Sequence, residues 1–266
     1  MSPLGEIIAG APVTYGGAEP LSVVVLQGGQ GFVRRHSAER AAREARRVAR
    51  LLPPGTGFAL VGYDPAPGDG LTLEGIADGL AAALKGLERP PVLAAISFGG
   101  PVAMRLAARY PDMVRGVALI ASADRFSEEG RARLGRQIAA LEAGDWAEFL
   151  KEFGALFRSG FRNAAMGLMV RLMRKRIAAG MADPAAIVRY LELARAAGPV
   201  DLSAAKRPVL VLGGGKDQFF GAVMPEMAAG VSAGEIALLP RETHMAPVEA
   251  ADAMRQRLGS WLARLG

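Results

Sequence analysis

A chain of 266 residues, 51% of them hydrophobic, is long enough to bury a full core as one domain, or as one domain carrying an insertion. It has no cysteine, which excludes a disulfide framework and a thiolate metal site, and neither a metal nor a cofactor is expected. The net charge of +6 comes mostly from arginine, and no basic stretch is interleaved with aromatics as a nucleic-acid platform requires. The first residues, MSPLGEIIAG, lack the basic start and long apolar stretch of a signal peptide, and no apolar run approaches membrane-spanning length. A soluble, cytoplasmic protein acting on a small molecule, with no nucleic-acid or membrane partner, is therefore expected; oligomeric state is not legible.

In chain order, short β-branched runs alternate with longer amphipathic ones. Ser22 to Leu26 (SVVVL) predicts a buried strand. A helix follows over Ser37 to Leu52, with Ser37 as N-cap and Pro53-Pro54 as its stop. Phe58 to Tyr63 (FALVGY) predicts a second strand, Thr72 caps a helix running to about Leu87, and Val92 to Ile96 predicts a third strand. A helix over Phe98 to Arg109 and a fourth strand over Val114 to Ala121 complete the first half. From about Asp124 to Ala204 only helix-like segments occur. Strands resume at Pro208 to Leu212 and Glu235 to Leu239, with a helix near Met224 to Ala229 between them and a closing helix over Val248 to Leu265. The rhythm predicts an α/β fold, a mostly parallel sheet flanked by helices. Its core is expected to comprise residues 1–123 and 205–266, interrupted by a helical cap over 124–204.

The stretch AAISFGGPVA sets Ser97 where a buried strand meets a helix. A sharp turn there demands small residues two positions to either side, and Ala95 and Gly99 supply them, as in the nucleophile-elbow pattern G-x-S-x-G with alanine in the first position. By itself the pattern is equally that of an ordinary strand-to-helix junction. A serine nucleophile also needs a base and an acid to orient that base. Only His36 and His244 are available, and His244, in RETHMAPVE, follows the last strand on the face where the elbow lies. Asp217, in LVLGGGKDQFF, follows the preceding strand and completes the chain order Ser, acid, His. Asp124, after the fourth strand, is a rival acid, but it also suits helix capping where the cap begins.

With these residues in place the chain resembles the α/β-hydrolase family with a helical cap, over nearly its whole length. GGGKDQFF with the trailing THM resembles, more narrowly, a bacterial subgroup of small hydrolases. The resemblance implies a catalytic triad of Ser97, Asp217 and His244. It also implies an oxyanion hole from the backbone N–H groups of Gly29 and Phe98. The family usually carries His-Gly after the strand preceding its first helix. Here the stretch is LQGGQGF, so Gln27 stands where a histidine would brace the loop. GGQG could also be only a glycine-rich turn; a phosphate cradle would need the Walker lysine it lacks. Arg34, Arg35 and His36 are read as a solvated loop near the mouth of the site.

In the cap, Phe149, Phe153, Phe157 and Phe161 recur every four residues, and Met166, Met169 and Met173 follow at helical spacing. Such stripes form one apolar face on a helix. Phe149, Phe153, Phe157, Met169 and Met173 are accordingly expected to line an apolar substrate pocket, with methionine making it adaptable. Arg171, Arg174, Lys175 and Arg176 are read as the solvated side of the same helix. The function expected is a carboxylesterase-like serine hydrolase that cleaves an ester or thioester of a small, largely apolar acyl group through an acyl-enzyme. Carbon–carbon bond hydrolysis or a lyase step on the same fold is an alternative, as is a non-catalytic ligand-binding protein on a hydrolase scaffold.

Overall fold

Strands such as FALV and GVALI carry apolar residues at successive positions rather than alternate ones, the mark of a sheet covered on both faces. A computed structural model, which describes residues 10–154, 156–201, 203 and 206–265, has that arrangement. The N-terminal stretch up to residue 9 and the expected cap boundary at 204 and 205 lie outside the described residues. In chain order the elements are β1 (Val13–Gly16), β2 (Leu21–Leu26), α1 (Gln30–Val33), α2 (Ala38–Ala49), β3 (Gly57–Val61), α3 (Leu73–Leu84), β4 (Val92–Ile96), α4 (Gly99–Arg109) and β5 (Gly116–Ile120). Four helices follow, α5 (Glu128–Glu142), α6 (Trp146–Gly154), α7 (Gly160–Ala179) and α8 (Pro184–Ala196). The chain then returns through β6 (Val209–Gly214), α9 (Val223–Gly230), β7 (Gly234–Leu239), α10 (Ala246–Glu249) and α11 (Ala251–Leu262).

The seven strands lie in the order β1-β3-β2-β4-β5-β6-β7, all parallel except β1, which runs antiparallel along β3. One face of the sheet packs on α3, α4 and the helices between β5 and β6, where the sequence reading expects a cap. The other packs on α2 and α11 through Val48, Leu51, Met254, Leu258 and Trp261. The chain leaves β2 toward β3 on one side and returns to β4 on the other. Connections therefore diverge between β2 and β4, which opens a crevice at their carboxyl ends. The loop 27–29 and Ser97 both leave the sheet at this crevice.

Local chemistry starts the helices as predicted. Ser37 accepts from the Arg40 N–H at 3.3 Å and Thr72 from the Gly75 N–H at 2.9 Å. Three features differ from the sequence reading. β1 has a single partner and only four residues, too few to carry a pattern of their own. The closing helix breaks at Ala250 (φ −132°, ψ 35°), just after Glu249 turns its carboxylate onto the Arg158 N–H and the Arg162 guanidinium of the cap. The phenylalanine stripe is not one helix face: α6 ends at Gly154, Phe157 lies in the connection, and Phe161 belongs to α7, which Ser159 caps.

Candidate active site

Ser97 sits between the end of β4 and the start of α4 with φ of +50°, the left-handed region that a non-glycine residue rarely occupies. That conformation costs on the order of 1–3 kcal/mol and persists only where surroundings enforce it. Here the Ser97 N–H donates to the Ile120 carbonyl at 3.1 Å, while the Ser97 carbonyl accepts from the Gly100 N–H at 3.0 Å and from the Ser122 hydroxyl. The space left is small. A methyl group on Gly100 would lie 2.0 Å from Ser122 Oγ, and one on Gly99 would lie 2.9 Å from Leu26 Cβ. Two strands therefore clamp the turn from either side, which is why both positions after Phe98 carry hydrogen in place of a side chain.

His244, on the loop between β7 and α10, brings Nε2 to 3.0 Å from Ser97 Oγ. Its Nδ1 lies 2.9 Å from Asp217 Oδ2. The other carboxylate oxygen, Oδ1, accepts from the Phe219 and Phe220 N–H groups at 2.8 and 3.0 Å. Both oxygens of this buried carboxylate thus have hydrogen-bond partners. The rest of the segment positions the imidazole. Gln218 Oε1 accepts from the His244 N–H at 3.1 Å, and the Phe219 and Phe220 rings lie 4.8 and 5.8 Å from the imidazole, centre to centre. All four residues of DQFF thus touch the histidine or its partner.

Asp124, the rival acid, is fully buried elsewhere. Its Oδ2 accepts from the Val200 N–H at 3.1 Å and its Oδ1 from Arg125 at 3.1 Å. It fastens the returning end of the cap to the end of β5, and the helix cap at α5 is Ser127 instead.

Gly29 begins α1, and neither its N–H nor that of Phe98 has an acceptor among the described residues. Both residues border the same cavity as Ser97. A methyl group on Gly28 would lie 3.0 Å from Ser97 Cβ, so this loop runs directly against the elbow. The Gln27 side chain does not brace it: it packs over Gly31 and makes no hydrogen bond among the described residues. The brace is Tyr63, whose hydroxyl donates to the Gln27 carbonyl at 2.6 Å. Burial, and then neighbouring Tyr190, push the Tyr63 phenol well above its ordinary range, so it remains a donor. Tyr63, Phe32, Phe98 and Tyr190 stack into one cluster beneath the loop, with ring centres 4.7 to 6.0 Å apart. The residues come from four separate segments, so spacing could not single them out; the only sequence signal was a tyrosine at the end of FALVGY.

A cavity of about 230 Å³ opens above Ser97 and His244. Its apolar walls include Phe126, Leu134, Leu156, Leu191 and Phe219. Of the five cap residues predicted to line it, Phe153 does so, and its ring would lie 3.0 Å from a methyl group on Gly29. Phe149 is fully buried behind it against Trp146, Phe157 is half-buried off the cavity, and Met169 and Met173 on α7 are 41% and 40% exposed. The helix period was right for α7, but a period says which residues share a face and not which face points inward. Polar side chains also border the cavity, among them Gln30, Glu44, Arg47 and Gln137; Gln137 donates to the Glu152 carbonyl at 3.3 Å, and its Oε1 has no partner among the described residues.

Two of the ties between helices α5–α8, with their connections, and the rest of the chain lie next to the site. Arg35 Nε donates to the Met181 carbonyl at 2.9 Å beside α1, and Thr243, next to His244, donates to the Leu156 carbonyl at 2.6 Å. Arg34 is half-buried, and burial followed by nearby Arg40 lowers its pKa; His36 is exposed.

A family model described as the alpha/beta hydrolase family matches residues 21–257. The pimeloyl-[acyl-carrier protein] methyl ester esterase of Neisseria meningitidis serogroup A is 34% identical over 173 residues, covering 62% of this chain and 53% of that protein. The protein of the same name from serogroup B, strain H44/76, is 36% identical over 149 residues, covering 53% of this chain and 55% of its own length. The chain thus spans little more than half the length of these relatives. Among solved structures, a thermophilic esterase from Thermogutta terrifontis aligns over 96% of this chain and 93% of its own, at 23% identity and a TM-score of 0.71. The enol-lactonase of Burkholderia xenovorans LB400 aligns over 95% and 96%, at 18% identity and a TM-score of 0.72.

Proposed function

The chain belongs to the alpha/beta hydrolase family, and on that premise we propose that it is a serine esterase for small, largely apolar acyl groups. One observation carries the reading: Ser97 Oγ, His244 and Asp217 form a continuous hydrogen-bonded line, 3.0 and 2.9 Å long at its two links, at the wall of an apolar cavity. His244 Nε2 takes the hydroxyl proton as Ser97 Oγ bonds to the carbonyl carbon of the ester. The N–H groups of Gly29 and Phe98, which have no acceptor among the described residues, receive the oxyanion. The imidazolium returns the proton to the leaving alkoxide as the carbon–oxygen bond breaks, which frees the alcohol and leaves an acyl-serine. Water then gives a proton to His244 and attacks the acyl carbon; the imidazolium passes that proton to Ser97 Oγ as the acyl–serine bond breaks, which releases the acid and restores the hydroxyl. Asp217 holds the imidazole with Nδ1 protonated and stabilises its cation.

The names of the Neisseria relatives support an ester as the bond class. The walls of Phe, Leu and Ala support an apolar acyl part, because a buried polar group without partners costs free energy there. Incubation with a fluorophosphonate and intact mass measurement tests the nucleophile: one adduct, absent from Ser97→Ala, is expected. A panel of p-nitrophenyl and methyl esters of graded chain length, run beside acyl-CoA thioesters, reads the substrate class. No adduct and no turnover would instead favour a ligand-binding role.

A further inference from the structure

The helix α7 is apolar on two opposite faces. Val170 is buried on one, with Met166 and Ile177 packed beside it against the core. At 100° per residue, Phe161, Leu168 and Leu172 fall within about 40° of one another on the far side. They are 83%, 60% and 75% exposed. With Met169 and Met173 farther round the helix, α7 carries five of the eight large hydrophobic residues exposed among the described residues. An ordinary surface helix is polar on its outer face.

The charges that α7 itself carries have one sign. α7 contains no acidic residue. Arg162 is paired with Glu249 at 2.9 Å, but Arg171, Arg174, Lys175 and Arg176 are exposed and have no ion pair among the described residues. On the helical wheel Arg171 and Arg176 lie on either side of the apolar line, and Lys175 lies close to it.

We infer that this outer face of α7 is a docking surface for an anionic lipid interface. Charge decides among occupants. A second copy of the chain would bring Arg171, Lys175 and Arg176 against the same three, with no carboxylate on either helix to offset them. A surface of opposite sign is required. The shape narrows it further: the side chains project from a convex rod, where a folded protein would need a matching groove ringed with carboxylates. A lipid surface deforms to admit three projecting apolar side chains, while long Lys and Arg stems beside them reach out to the headgroups. No helix among the described residues is long and apolar enough to cross a membrane, and association of this kind needs none. The cations predicted to be merely solvated thus acquire a role from the apolar line they flank. The inference uses none of the proposed catalytic roles.

Co-sedimentation of the full chain with vesicles tests it. Binding is expected to vesicles of phosphatidylcholine mixed with phosphatidylglycerol, and not to phosphatidylcholine alone. Leu168→Ser with Leu172→Ser, and separately Arg171→Gln with Lys175→Gln, should each weaken binding by about tenfold or more, and added salt should weaken it further. Leu172→Phe should bind as wild type. These positions are exposed, and an unchanged melting temperature confirms that each variant folds. Failure to bind anionic vesicles would overturn the inference, as would binding that none of these variants alters. Retention on immobilised acyl carrier protein without vesicle binding would replace it with an acidic protein partner. A dimer that the serine variants dissolve would replace it with self-association.

Discussion

The Tyr63 hydroxyl holds the Gln27 carbonyl at 2.6 Å, so the loop that presents Gly29 is anchored through its backbone and not through the side chain at position 27. Tyr63→Phe should lower kcat about three- to thirtyfold with little change in KM, as expected when one buried hydrogen bond that sets a donor's position is lost. Gln27→Ala should cost less, because that side chain makes no hydrogen bond among the described residues. Burial keeps the phenol protonated, so the ratio of variant to wild-type kcat should stay constant from about pH 6 to 9. The reverse ranking of the two variants would return the bracing role to Gln27.

Ser97→Ala should lose about 10⁴- to 10⁶-fold in kcat, the range seen when a member of such a triad is removed. The strained turn is set by backbone contacts to Ile120, Gly100 and Ser122, which alanine retains, so the fold should survive. Retention of more than a tenth of the activity would remove Ser97 from the chemistry.

The two buried aspartates should separate cleanly. Asp217→Asn should reduce kcat/KM by several orders of magnitude, because the amide cannot stabilise the imidazolium and can hold the wrong tautomer. Asp124→Asn should leave the chemistry nearly intact but lower the melting temperature, since it weakens buried contacts to Val200 and Arg125 worth about 1–3 kcal/mol. Kinetics and thermal melts on both decide. A greater loss of kcat/KM in Asp124→Asn would mean that the acid comes from the end of β5.

Two glycine replacements should have opposite signs. Gly100→Ala drives a methyl group to 2.0 Å from Ser122 Oγ and 2.6 Å from the Ala123 carbonyl, so the elbow must shift, and a loss of stability above about 2 kcal/mol is expected. Gly79→Ala lies within α3 with nothing within 4 Å of the added methyl, and should gain about 0.5–1 kcal/mol. Denaturant midpoints read both.

Phe153 and Met173 were grouped by sequence and separated by the fold. Phe153→Ala should move the acyl-chain preference toward longer esters, because it enlarges the cavity beside Gly29. Met173→Ala should leave that preference unchanged, since Met173 is 40% exposed away from the cavity. A shift in preference from Met173→Ala with none from Phe153→Ala would mean that the substrate lies elsewhere.

What could be read in the sequence was local or ordered along the chain. Strand and helix periods, the Ser37 and Thr72 caps, the small residues around Ser97, and the order of Ser97, Asp217 and His244 each follow from steric or hydrogen-bonding rules acting over a few residues, or from chain topology. The small residue after Gly99 is also local, but its reason is not. Gly100 is required by Ser122 and Ala123, just past the end of the neighbouring strand β5. Tyr63 as the brace, Gln218 beneath the His244 backbone, and Asp124 as a cap fastener link residues that are 36, 26 and 76 positions from their partners. No periodicity encodes such pairs; they exist only once the sheet order brings strand ends together. The cap shows the same division. Its helical spacing was legible, but the direction in which α7 presents its methionines and leucines was not, because an α-helix apolar on two sides can pack on either, and only the contacts of Val170 and Ile177 with the core decide which one.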